Sequence, residues 1–139
     1  MKKKLSLFFV AVLTMVVLAA CGAGDENPST TSSGKSVLKV GMEAAYAPFN
    51  WSQNDDSNGA VQIGDTKEYA AGYDVEIAKR IAEGLDMELE IVKTDWDGLI
   101  PSIQSGAIDI IIAGMSPNAK RLETIDFTDI YYNSNFVVV

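Results

Sequence analysis

"AIDIIIAGMSPNAKR", residues Ala107 to Arg121, is the stretch on which the fold turns. Its first half is almost wholly apolar and stops at Gly114. Such a run reads as a central parallel strand covered on both faces. A helix start follows, with Ser116 as N-cap and Pro117 at the first helical position of "SPNAKRLE". A buried strand passing through a glycine into a helix is the unit of an α/β fold. The same stretch poses a chemical question. Lys120 and Arg121 stand in the opening turns of that helix. There the helix dipole opposes positive charge by a few tenths to about 1 kcal/mol unless an anion binds.

The segments before it alternate in kind. "VLKVGM" places Leu38, Val40 and Met42 on one side of a first strand. "YDVEIAKRIAEGL" has Ile77, Ala78, Ile81, Ala82 and Leu85 at helical spacing, with Asp74 as a plausible N-cap, Glu76 and Arg80 as an i,i+4 pair, and Gly84 near the stop. "MELEIV" alternates strictly, which suits a strand at a sheet edge. "WDGLIPSIQSG" reads as a second short helix with Pro101 in its first turn, and "YYNSNFVVV" as a last strand. The order β-α-β-α-β-α-β predicts a doubly wound, mostly parallel sheet with strand order 2-1-3. In such sheets ligands bind beyond the carboxyl ends of the strands, where the order reverses. Only three segments meet that condition: Glu43 to Trp51, Thr94 to Asp97, and Ala113 to Arg121.

Those segments bring Glu43, Tyr46, Phe49, Trp51, Trp96, Gly114, Ser116 and Arg121: aromatic walls, an acid, glycine-exposed backbone, a hydroxyl and a guanidinium. The chain has no histidine, so Ser/His and Cys/His nucleophile pairs and His/Cys metal clusters are absent from the sequence. Arg121 leans back toward its helix start and is suited to a bidentate fork on a carboxylate that the Ser116 hydroxyl and amide also hold. The alternative is a surface ion pair with Glu123, Asp126 or Asp129. Phe49 and Trp51 suit core or rim better than ligand contact, and Glu43 suits ligand or solvent equally. The insert "SQNDDSNGAVQIGDTKEYAA" reads as a polar turn. Asn54, Asp56, Asn58, Gly59 and Asp65 match some positions of a calcium loop, but the terminal Glu and flanking helices are missing, so no metal is assigned.

The amino-terminal end has its own logic. Lys2, Lys3 and Lys4 precede an apolar run from Leu5 to Ala20, as in a secretory signal at residues 1–20. "LAAC" then resembles the lipobox of bacterial lipoproteins, with Cys21 as the lipidated residue; an ordinary signal or an uncleaved anchor is the alternative. Cys21 is the single cysteine, so no internal disulfide is possible. Residues 21–36, rich in Gly, Ser and Thr, read as a flexible tether, and 37–139 as the domain. The whole chain carries 11 basic and 19 acidic residues, net −8; loss of the three leader lysines leaves 8 and 19, net −11. That sign disfavours a nucleic-acid partner.

"LKVGMEAAYAPFNW", "GYDVEIAKRIAEGL", "WDGLIPSIQSGAIDIIIAGMS" and "NAKRLETIDFTDIYY" together resemble the polar amino-acid substrate-binding proteins of ABC transporters, which have the type II periplasmic-binding-protein fold. The resemblance runs from about Leu38 to Val139. It implies the first lobe of a two-lobed binding domain, with the second lobe absent after "FVVV". It implies that Arg121 clamps the ligand α-carboxylate, that Gly114 and Ser116 touch the α-carboxylate and α-amino groups, that Tyr46 and Trp96 wall the side chain, and that Glu43 lines its far end. It further implies a lipid-anchored, extracellular or periplasmic receptor, not an enzyme and without a cofactor. Such a receptor delivers an L-amino acid to an ABC permease and ATPase complex. Two rivals remain: a truncated surface lipoprotein that binds nothing, and a lyase or dehydratase on the same fold with Glu43 and Asp97 as its acid/base pair. A lone lobe is expected to bind amino acids weakly or not at all and to self-associate through the apolar edge of its last strand.

Overall fold

The computed structural model describes residues 34–135. The leader expected at 1–20, Cys21, most of the expected tether and residues 136–139 lie outside the described residues.

Val37–Met42 forms β1, whose alternate residues Leu38, Val40 and Met42 are buried as expected. Two parallel partners flank it. On one side lies β6, Glu88–Lys93, with Leu89 opposite Leu38 and Ile91 opposite Val40; on the other lies β7, Ile110–Ile111, with Ile110 opposite Val40. The order β6-β1-β7 is the expected 2-1-3 reversal. Among the described residues the third strand is not central as expected: β7 spans two half-buried residues at an edge of this sheet. The reason lies in the chain beyond it. The last strand expected over "YYNSNFVVV" does not form at residues 131–135, and the remainder lies outside the described residues. Tyr131 is committed elsewhere. Its carbonyl accepts from the Tyr73 hydroxyl at 3.0 Å, so the backbone there bonds a side chain rather than a ladder.

A second sheet was not foreseen. Ala45–Tyr46 (β2), Asn50–Gln53 (β3), Val61–Gln62 (β4) and Tyr69–Ala71 (β5) form an antiparallel sheet in the order β2-β3-β5-β4. The insert is therefore a strand pair rather than a polar turn. Its apolar residues decide this: Ala70, Ala71 and Ile63 are buried, and Ile63 bridges to Ile91, covering part of the outer edge of β6. At the tip, the Asp55 carboxylate accepts from the Ser57 amide at 3.0 Å. Among the described residues, no group of three or more His, Cys, Asp or Glu is placed to hold a metal ion.

Helix α1, Tyr73–Gly84, buries Val75, Ala78 and Ala82 against the sheet. Ile81 and Leu85, read as part of that stripe, lie on its exposed flank. Glu76 pairs with Lys79 at 2.7 Å rather than with Arg80, because Lys79 also donates to the Gly59 carbonyl. The helix start corrects a second expectation. Gly72, not Asp74, is the N-cap, and the free amides of Tyr73 and Asp74 donate to the carbonyls of Pro48 and Phe49 at 3.2 and 2.8 Å. The "APF" turn therefore caps the helix with its backbone, and Asp74 points inward. Past Gly84 the chain closes with Asp86 in the left-handed region, φ 54, and Met87 N–H donating to Ala82 at 2.9 Å. Helix α2, Leu99–Gln104, follows a tight turn at Trp96–Gly98 and holds Pro101 in its first turn as expected. Gly41 in β1 is small for a reason: a Cβ there would meet Ile108 Cδ1 at 2.4 Å.

Candidate functional site

The carboxyl ends of β1, β6 and β7 point to one end of the parallel sheet, and the chain leaves them at Glu43, Thr94 and Ile112. The three segments picked out from the sequence therefore gather there. Between the second and third lies an open groove of about 680 Å³, lined by Trp96, Ile100, Met115, Asn118, Arg121 and Thr124 among others. That volume lies within the range of small-molecule sites.

Trp96 sits in the turn before α2, about one-third exposed, with the Arg121 guanidinium 5.3 Å from its ring centre. Arg121 belongs to α3, Ala119–Leu122. This helix starts later than expected: Asn118, not Ser116, is the N-cap, and its side-chain oxygen accepts from the Arg121 amide at 2.9 Å. Pro117 accordingly precedes the helix instead of opening it. A helix of one turn has few aligned peptides, so dipole repulsion of Lys120 and Arg121 is slight and does not by itself call for an anion. The Arg121 guanidinium donates to the Ser116 carbonyl at 2.7 Å, which turns it back over the loop and onto Trp96. Among the described residues no ion pair joins it to Glu123, Asp126 or Asp129. The cation faces the groove, which Asp97 and Glu123 also line without forming an ion pair with it.

Tyr46 and Gly114 form a second group. Gly114 is in the left-handed region, φ 62, and a Cβ there would lie 3.3 Å from the Tyr46 ring. Tyr46 stacks on Phe49 with ring centres 5.2 Å apart, and Phe49 in turn meets Tyr132 edge-on at 4.9 Å. Phe49 is thus the support of Tyr46. Glu43 follows β1 directly, is half-buried, and has no hydrogen-bond or ion-pair partner among the described residues. Of the six expected ligand residues, the structure joins Trp96, Arg121 and Ser116 on one side and Tyr46 with Gly114 on the other. Glu43 stands at the strand end.

Sequence reasoning missed what lies behind Gly114. Its amide donates to the Tyr131 hydroxyl at 2.9 Å, and that hydroxyl donates to the Asp74 carboxylate at 2.9 Å. The other Asp74 oxygen accepts from the Asn50 amide at 2.7 Å. Asp74 and Asn50 are fully buried. Burial raises the Asp74 pKa above its ordinary value, and the bonds from Asn50 and Tyr131 offset part of that rise. Burial, together with the Asp74 charge, also pushes the Tyr131 hydroxyl well above the usual tyrosine value, so it stays protonated and able to donate. The sequence signal was present but ambiguous, since an aspartate in a first helical turn has the residue type of a cap.

Comparison with known proteins places this geometry. The arginine-binding extracellular protein ArtP of Bacillus subtilis (strain 168) is 34% identical over 139 residues, covering 100% of this chain and 48% of ArtP. A probable histidine-binding protein of Campylobacter jejuni is 35% identical over 135 residues, covering 96% of this chain and 48% of the relative. The chain thus spans about half the length of these curated relatives. Among solved structures, the arginine-bound form of domain 1 from TmArgBP superposes with a TM-score of 0.57 and 38% identity, covering 69% of this chain and 67% of that one. The described residues have an α/β fold with a parallel sheet, as in that single domain. Residues 38–139 match one family throughout, and the chain belongs to the bacterial extracellular solute-binding proteins, family 3.

Proposed function

We propose that this chain is the amino-acid-binding lobe of an extracellular or periplasmic receptor that serves an ABC importer, and that its ligand is an L-amino acid with a cationic or planar side chain. The observation that carries the reading is the Arg121 guanidinium, free of any acidic partner among the described residues and held against Trp96 at the carboxyl ends of the strands. An α-carboxylate supplies the missing charge through a bidentate fork. Ser116 supplies its hydroxyl and amide beside it, the Gly114 carbonyl an acceptor for the α-amino group, Tyr46 and Trp96 the aromatic walls, and Glu43 the acid for a cationic far end. The relatives named for arginine and histidine support that choice of side chain. The family's binding proteins support a binding role over the lyase alternative. The arginine-bound domain 1 of TmArgBP supports ligand binding by a single lobe, against the expectation of a lobe that binds nothing.

A thermal-shift screen of the proteinogenic amino acids tests this. Arginine, lysine or histidine should raise the melting temperature, while aliphatic amino acids should leave it unchanged. A shift given only by aliphatic ligands, unaffected by Glu43→Gln, would refute the side-chain half of the reading. The domain reading is a leader at 1–20, a tether at 21–36 and a lobe from 37. With it goes the anchor: Cys21 carries the lipid, and several acyl chains hold the lobe at the membrane.

A further inference from the structure

We propose that Asp74 and Tyr131 are positioning residues for the amino-acid site: the buried Asp74 carboxylate orients the Tyr131 hydroxyl, which holds the Gly114 amide and fixes the turn whose Ser116 carbonyl holds the Arg121 guanidinium at the groove. The inference rests on the functional reading above for its ligand, but its geometry stands alone. Three hydrogen bonds run in series across elements far apart in sequence: Gly114 N–H to Tyr131, Tyr131 to Asp74, and Asn50 to Asp74, at 2.9, 2.9 and 2.7 Å. The middle member has one proton to give. Because Asp74 accepts it, the oxygen lone pair of Tyr131 is left facing the Gly114 amide. Asp74 is itself fixed, since its own amide is held by the Phe49 carbonyl at 2.8 Å and its side chain is fully buried. Tyr131 is braced along its ring by Tyr73, with centres 6.2 Å apart and planes 16° from parallel. The series therefore ends on a rigid helix start and a rigid strand, and it begins on a glycine two residues before Ser116.

That glycine needs an anchor. At φ 62 it occupies a region from which glycine escapes easily, and its free amide would otherwise go to water. Released, the loop would carry Ser116 and the Ser116–Arg121 hydrogen bond away from Trp96. The chain thus places an acid and a tyrosine, neither lining the groove, in control of Arg121, which does.

The test uses the full chain with Cys21→Ser, L-arginine as the probe in calorimetry, and amide hydrogen exchange read at Gly114. Tyr131→Phe should speed exchange at Gly114 by about tenfold or more while Val40 and Ile91 in the sheet keep their protection, and it should weaken arginine binding by about tenfold. Asp74→Asn still offers an oxygen to the Tyr131 hydroxyl. Its new amide can be accepted by Asn50 Oδ1, which has no partner among the described residues, once the Asn50 amide turns over. That variant should keep affinity within about threefold of the parent and keep Gly114 protected. Unchanged exchange and affinity in Tyr131→Phe would overturn the proposal. So would an equal loss of protection across the sheet, or an Asp74→Asn variant as impaired as Tyr131→Phe. If the parent chain binds no amino acid, the functional reading falls, and the exchange at Gly114 still decides whether Tyr131 holds the turn.

Discussion

At Gly72 the backbone turns at φ 126, and a Cβ there would lie 2.3 Å from the Phe49 carbonyl oxygen, the same oxygen that caps α1 through the Asp74 amide. A side chain cannot be added without moving that cap. Gly72→Ala should therefore cost about 2–4 kcal/mol, combining backbone strain with a lost helix start, read from the midpoint of denaturant unfolding. A change under about 0.5 kcal/mol would show the turn to be soft. Asp74, two residues on, makes a pH-dependent contribution whose sign follows from its raised pKa. The native state holds the proton more tightly than the unfolded chain does. Between the raised native value and the ordinary 3.8, the native state binds more protons, and stability rises as pH falls. Relative to Asp74→Asn, the parent should gain melting temperature on acidification from neutral toward that ordinary value. A difference independent of pH would mean that Asp74 is ionised as easily in the fold as outside it.

The strands and helices built from strong periodicity were legible: β1, α1, β6 and α2 lie where their patterns put them, and the 2-1-3 order followed from one alternating strand and one apolar run. What failed to show had a common physical cause, in that short-range patterns do not reveal long-range partners. The insert looked polar because its tip is polar, yet Ile63 and Ala70 join the core that covers the parallel sheet and make it a structural element. Ile63→Ala should cost about 2–4 kcal/mol by opening a cavity beside Ile91, a loss measurable in urea; an insert that merely decorates the surface would show almost none. Reading Ser116 and Asp74 as caps relied on residue type, and both helices start elsewhere: Asn118 caps α3 with its side chain, and Gly72 opens α1, where the Phe49 carbonyl takes the Asp74 amide. The site fared similarly. The segments carrying Trp96, Ser116 and Arg121 come together at the strand ends, with contacts among them that the sequence did not specify, whereas Tyr131 and Asn50 were invisible because their partner, Asp74, is 57 and 24 residues away.

For the molecule as a whole, the parallel sheet gathers an aromatic wall, a guanidinium and a glycine turn at one end. Changing Cys21 to Ser should release the protein from the membrane fraction; retention of the unlipidated protein would argue for an uncleaved helix in its place. Carboxylate recognition at this site rests on Arg121. Two charge-assisted hydrogen bonds to a carboxylate are together worth about 3 kcal/mol or more, equivalent to about a 100-fold change in affinity. The most direct measurement is calorimetric titration of the full chain, as Cys21→Ser, with L-arginine, alongside the same titration of Arg121→Ala. Saturable binding that falls by about 100-fold or more in Arg121→Ala, with its melting temperature kept, is the result expected. Binding of equal strength in both proteins, or no binding of any amino acid by the parent, would contradict it.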